Sequence, residues 1–181
     1  MDNLLTSLVF ITPHEVQAHA IPLLKAHAPD SQTRIPAHMT IMYPFVPFDQ
    51  LANTARKLRE ICSQIEPFEL TLAGYGTFPG AVYMQLVNPE PFKAMYRTIF
   101  AAFPDYPPYR GVFGDDLHPH VTVAEWLSES AQEAGIQRPD TLPPYDPITF
   151  RVERLHLMYG VEHPPLPYIT YEVIPLGYPP H

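Results

Sequence analysis

Cys62 is the only cysteine in 181 residues, which excludes an intrachain disulfide and a cysteine-ligated zinc cluster. Its place in a helical pattern predicts a buried thiol. Basic residues are also scarce, 11 Lys and Arg against 19 Asp and Glu for a net charge of −8. That balance argues against an extended surface for tracking nucleic acid, because such affinity comes largely from cations that release counterions, while leaving room for a local basic pocket. A small phosphate ester suits the chain better than a long RNA. No apolar run approaches the roughly 18 residues needed to span a bilayer, so no membrane partner is expected. Met1-Asp2-Asn3 lacks the positive region of a secretory leader, and a cytoplasmic location is the expectation. Glycine is outnumbered by proline, 8 to 24, which predicts short strands joined by stiff extended connections. Neither a P-loop nor a GxGxxG phosphate loop is present.

What is present is a duplication. His38-Met39-Thr40-Ile41 and His120-Val121-Thr122-Val123 lie 82 residues apart, each in a short apolar run that reads as a strand. Alternation along a strand puts His38 with Thr40, and His120 with Thr122, on one face and the apolar residues on the other. Two such strands facing one another would gather two imidazoles and two hydroxyls around one cleft. That is equipment for acid/base chemistry on an anionic phosphodiester. A lone histidine on a half-buried strand is more often structural, and it is the pairing that favours function.

The remaining pattern is α+β. Leu4 to Ile11 reads as a buried strand, and Thr12-Pro13-His14-Glu15 as a helix start with Thr12 as N-cap and a kink or interruption expected at Pro22. Asp49 is placed to cap an amphipathic helix carrying Leu51, Ala55, Leu58, Ile61 and Ile65. Phe68 to Leu72 and Val82 to Val87 read as neighbouring antiparallel strands, with Gly74, Gly76, Pro79 and Gly80 as the loop between them. A third helix is predicted up to Phe103, a Pro-rich loop over 104–116, a short helix near Glu129 to Ala134, and strands over 148–159 and 168–176. The histidines at 14, 19 and 27 are read as solvated, and His156 and His163 as structural or solvated.

The paired motifs resemble those of the 2H phosphoesterase superfamily, whose pattern is two copies of His-x-Thr/Ser-x with apolar x. The context Ala37-His38-Met39-Thr40-Ile41-Met42-Tyr43-Pro44-Phe45, with His118-Pro119-His120-Val121-Thr122-Val123-Ala124, is similar to that of the bacterial 2′-5′ RNA ligase-like proteins. The resemblance runs along nearly the whole chain. It implies a single bilobal domain over residues 1–181, with two pseudo-symmetric antiparallel-sheet lobes, helices outside and a central groove. It also implies chemistry on 2′,3′-cyclic phosphates or 2′-5′ phosphodiesters without a metal or other cofactor. His38 and His120 would then be the acid/base pair, and Thr40 and Thr122 the phosphate-binding hydroxyls. Several relatives carry a basic residue just after the second motif, where this chain has Glu125 and Trp126.

Around the motifs, Tyr43, Phe45 and Trp126 could stack on a base or simply pack. Arg34 and Arg110 precede the two motifs and either reach a phosphate or remain surface residues. His118 makes a His-Pro-His run that offers a metal site with His38 as an alternative, though no carboxylate stands at a ligand spacing. The expected partner is a nucleotide or RNA-end phosphodiester, and a monomer is expected. A binding module without turnover, or RNA end joining, are the competing readings.

Overall fold

The computed structural model describes residues 4–28, 34–112, 116–161 and 166–178. His163 lies outside them. Two four-stranded antiparallel sheets form the frame. The first, sheet A, takes strands in the order β2-β1-β7-β8, and the second, sheet B, in the order β5-β4-β3-β6. Their bounds are β1 Leu4–Ile11, β2 His38–Met42, β3 Phe68–Phe78, β4 Ala81–Leu86, β5 His120–Glu125, β6 Ile148–Val152, β7 Arg154–Val161 and β8 Ile169–Pro175. The helices are α1 His14–His27, α2 Leu51–Cys62, α3 Glu90–Ala102 and α4 Glu129–Glu133. Among the described residues no helix is long and apolar enough to cross a membrane.

Each motif strand is an edge strand, β2 of sheet A and β5 of sheet B, and the two lie against each other. Both carry the same defect. Val9 pairs with Thr40 and Leu8 with Met42, which leaves Ile41 as an extra residue on β2. Tyr83 pairs with Thr122 and Val82 with Ala124, which leaves Val123 as the extra residue on β5. A bulge resets the alternation of faces. Ile41 and Met42 are accordingly both buried, as are Val123 and Ala124, and the residue returned to the cleft face is the fifth after the histidine: Tyr43 in one copy, Glu125 in the other.

Four local expectations are corrected by the fold. Thr12 does not cap α1; its hydroxyl donates to the Ala37 carbonyl at 2.8 Å, and Pro13 holds the cap position without a side-chain bond. Pro22 does not interrupt α1, because it lies on the exposed side where the carbonyl it leaves unbonded can be hydrated. Asp49 sits in a short 3-10 turn, Phe48–Gln50, with no capping bond to α2. β3 runs straight through Gly74 and Gly76: the first, at φ +69°, lies where the pairing with β4 shifts register, and the second makes room for a ring.

The stretch read as one strand from Ile148 to Tyr159 is two. β6 pairs with β3 in sheet B, while β7 pairs with β1 in sheet A, so the chain changes sheets at Glu153. Cys62 is buried as expected, and burial pushes its thiol up to about 12.

Candidate active site

The junction of β2 and β5 opens into a cavity of about 850 Å³ lined by His38, Thr40, His120 and Thr122. Both histidines are oriented in the same way. His38 Nδ1 donates to the Pro36 carbonyl at 2.8 Å, and His120 Nδ1 donates to the His118 carbonyl at 2.7 Å, each acceptor two residues upstream. A carbonyl can only accept, so these bonds place the proton on Nδ1 and leave Nε2 of each ring as the working atom of the neutral imidazole. Burial depresses both rings, and for His38 it outweighs the Pro36 carbonyl's opposing pull, lowering it to about 4 with a further contribution from the charge of His120. Charge on His120 therefore bears on His38.

The strand carrying His38 is anchored by a network centred on Ala37. Its carbonyl accepts from the Thr12 amide at 3.0 Å, the Thr12 hydroxyl and Gln17 Nε2 at 2.7 Å, and its amide donates to Gln17 Oε1 at 3.1 Å. On the other side, His120 is braced by aromatic rings, Phe78 at 4.9 Å and Tyr83 at 5.3 Å between centroids. Tyr83 can lie there because Gly76 opposite it has no side chain. A Cβ at Gly76 would stand 2.4 Å from the Tyr83 ring, inside any permitted contact.

Of the flanking residues, Tyr43 and Arg34 line the cavity, and Trp126 and Arg110 are not among its lining residues. Trp126, just past the end of β5, packs against the core. Arg110 is exposed, on a left-handed stretch with φ 56°. Phe45 is buried edge-on against Phe103 at 5.1 Å, the packing role. His118 lines the cavity too, but no group of three His, Cys, Asp or Glu side chains among the described residues is placed to share a metal ion. His19, expected in solvent, is half-buried and bonded to the Tyr75 hydroxyl at 2.6 Å, away from the cavity lining. His156 is half-buried on β7, lowered by burial.

Sequence reasoning missed Tyr109 and Gln17. Tyr109, also left-handed at φ 52°, lines the cavity and hydrogen-bonds Thr40, while burial and the charge of Glu125 raise its phenol. Its sole local signal was a position in a Pro-rich loop between the motifs.

The model of the 2′-5′ RNA ligase superfamily matches residues 12–164. The chain belongs to this superfamily. A Bacillus licheniformis protein named "Putative phosphoesterase" is 28% identical over 149 residues, 79% of this chain and 82% of the relative. Escherichia coli LigT complexed with 3′-AMP superposes with a TM-score of 0.68 at 14% identity, covering 97% of this chain and 99% of that one. LigT complexed with ATP gives 0.66 at 15%, with the same coverage. The fold is thus that of the LigT-like 2H phosphoesterases, and the activity is of the phosphoesterase or 2′-5′ RNA ligase type.

Proposed function

We propose that the protein hydrolyses 2′,3′-cyclic phosphates or 2′-5′ phosphodiesters of nucleotides or RNA ends by two-histidine acid/base catalysis, without a metal. The observation that carries this reading is the pair of matched Nδ1-to-carbonyl bonds, which present two Nε2 atoms to one cavity. One neutral imidazole takes a proton from the attacking water as it approaches phosphorus in line. The other, protonated, gives its proton to the departing sugar oxygen. Thr40 and Thr122 donate to the nonbridging oxygens as charge builds in the pentacovalent arrangement.

The size of the cavity supports a small nucleotide as ligand. The cavity, about 850 Å³, lies within the range that encloses small ligands. The LigT structures with 3′-AMP and ATP support a nucleotide ligand by analogy. The test is a turnover screen with 2′,3′-cyclic nucleotides, 2′-5′ dinucleotides and ADP-ribose cyclic phosphate in the presence of EDTA. Turnover of at least one class in chelator is expected. Silence on all three overturns the hydrolytic reading in favour of nucleotide binding without turnover.

A further inference from the structure

The 82-residue offset that superposes the motifs can be carried outward from them, and there the symmetry breaks. Four residues before each histidine stand Arg34 and Asp116, and five residues after stand Tyr43 and Glu125; all four line the cavity. The centre is alike in both copies, His with His and Thr with Thr. The flanks are opposite in charge. Arg34 is the one Arg or Lys lining the cavity among the described residues, and both lining carboxylates, Asp116 and Glu125, belong to the second copy.

Arg34 is held as a recognition group would be. Its guanidinium lies over the Tyr168 ring at 5.7 Å, and its carbonyl accepts from the Tyr168 amide at 2.8 Å. The ring in turn lies close on β7 where Gly160 leaves space, since a Cβ there would come within 2.6 Å of it. Arg34 Nε is closed off from solvent and meets no hydrogen-bond acceptor among the described residues. The side chain lines the cavity, and the other donors of its planar fork match the oxygens of a phosphate. Asp116, at the equivalent place, has its carboxylate engaged by Lys93 Nζ at 2.9 and 3.1 Å and presents no such donor.

We infer that the groove has a direction: with the reacting phosphodiester between His38 and His120, a second phosphate of the same ligand lies on Arg34, and the Asp116 and Glu125 side takes only uncharged groups such as hydroxyls or an exocyclic amine. This rests on the proposed site for the reacting phosphate. It makes the preferred ligand a nucleotide with phosphates on two different oxygens of one sugar or on adjacent residues.

The experiment is titration calorimetry with adenosine 3′-monophosphate and adenosine 3′,5′-bisphosphate, neither of which needs turnover. Wild-type protein should bind the bisphosphate about tenfold or more tightly than the monophosphate, the worth of one charge-assisted hydrogen-bonded contact. In Arg34→Gln that advantage should shrink below about threefold, and Arg34→Lys, a charge without the fork, should restore part of it. Equal affinities in the wild type, or an advantage that survives Arg34→Gln, overturns the inference. Failure of the cyclic-phosphate screen with this binding difference intact would fall on the hydrolytic reading alone.

Discussion

The Tyr109 phenol is hydrogen-bonded to the Thr40 hydroxyl, so one of the two proposed phosphate donors is already engaged. An incoming phosphate has to displace that bond. Tyr109→Phe should therefore raise the affinity for inorganic phosphate, by about threefold to tenfold on the scale of one neutral hydrogen bond. Competitive inhibition by phosphate measures it, and an unchanged inhibition constant would show that Tyr109 does not compete.

Each histidine supplies one proton-transfer partner, so His38→Ala and His120→Ala should each cut turnover by roughly a hundredfold or more. Thr40→Ala and Thr122→Ala should cost about tenfold to a thousandfold, since each removes one hydrogen bond to developing charge. Steady-state rates on a cyclic nucleotide, with folding checked by circular dichroism, decide both. A histidine variant with wild-type turnover would remove that ring from the mechanism.

Both rings titrate below 6.5 in the free protein, His38 near 4, and the reaction needs one charged and one neutral. The optimum of kcat/KM, which reports the free enzyme, should then lie below pH 6.5 and fall as pH rises. The negative charge of a bound phosphodiester favours the protonated rings, so the kcat optimum should sit higher. Stability runs the opposite way: the unfolded chain binds protons that folded His38 refuses between pH 6.5 and about 4, so stability is lost as pH falls through that window. Urea denaturation at pH 7 and pH 5 should show that loss, and His38→Ala should diminish it.

Glu125 carries its charge into a cavity proposed to hold phosphate. A cyclic diester has one negative charge and the phosphomonoester product up to two, so the carboxylate repels product more than substrate. Glu125→Gln should strengthen product inhibition by about threefold to thirtyfold, the range for one partly screened charge at short distance. Product inhibition constants for the two proteins provide the test, and equal values would place Glu125 outside reach of the phosphate.

Gly76→Ala should do its damage at His120. The added methyl collides with the Tyr83 ring, and overpacking of this kind costs about 1–3 kcal/mol. A lowered melting temperature together with a shifted His120 ring resonance would be the signature. Stability equal to the wild type would mean that Tyr83 moves aside freely.

The parts of this protein that are periodic were legible in its sequence. The strand alternation of His38 and Thr40, and of His120 and Thr122, placed four side chains on cavity-facing surfaces, and the apolar spacing of Leu51, Ala55 and Leu58 marked the buried face of α2. What escaped depends on partners distant in the chain. Gly76 looks like a turn residue until Tyr83 is laid over it, and Thr12 looks like a helix cap until Ala37 supplies a nearer acceptor. The apolar run from Ile148 shows strand periodicity throughout, but periodicity does not say which sheet a strand joins, and the change of sheets at Glu153 left no mark on it. Tyr109 reaches Thr40 only because three consecutive residues, Tyr109 to Gly111, adopt left-handed backbone, two of them without glycine's freedom to do so.

That change of sheets also governs the order in which the protein can be completed during synthesis. β1 is translated some 150 residues before its partner β7, and β3 likewise waits for β6. Until the segment from Ile148 onward has been translated, sheet A is only the pair β1 and β2, joined through α1, and sheet B lacks its edge strand β6. β6 completes sheet B before β7 and β8 complete sheet A, and a ribosome stalled before Ile148 holds a nascent chain with two unfinished sheets.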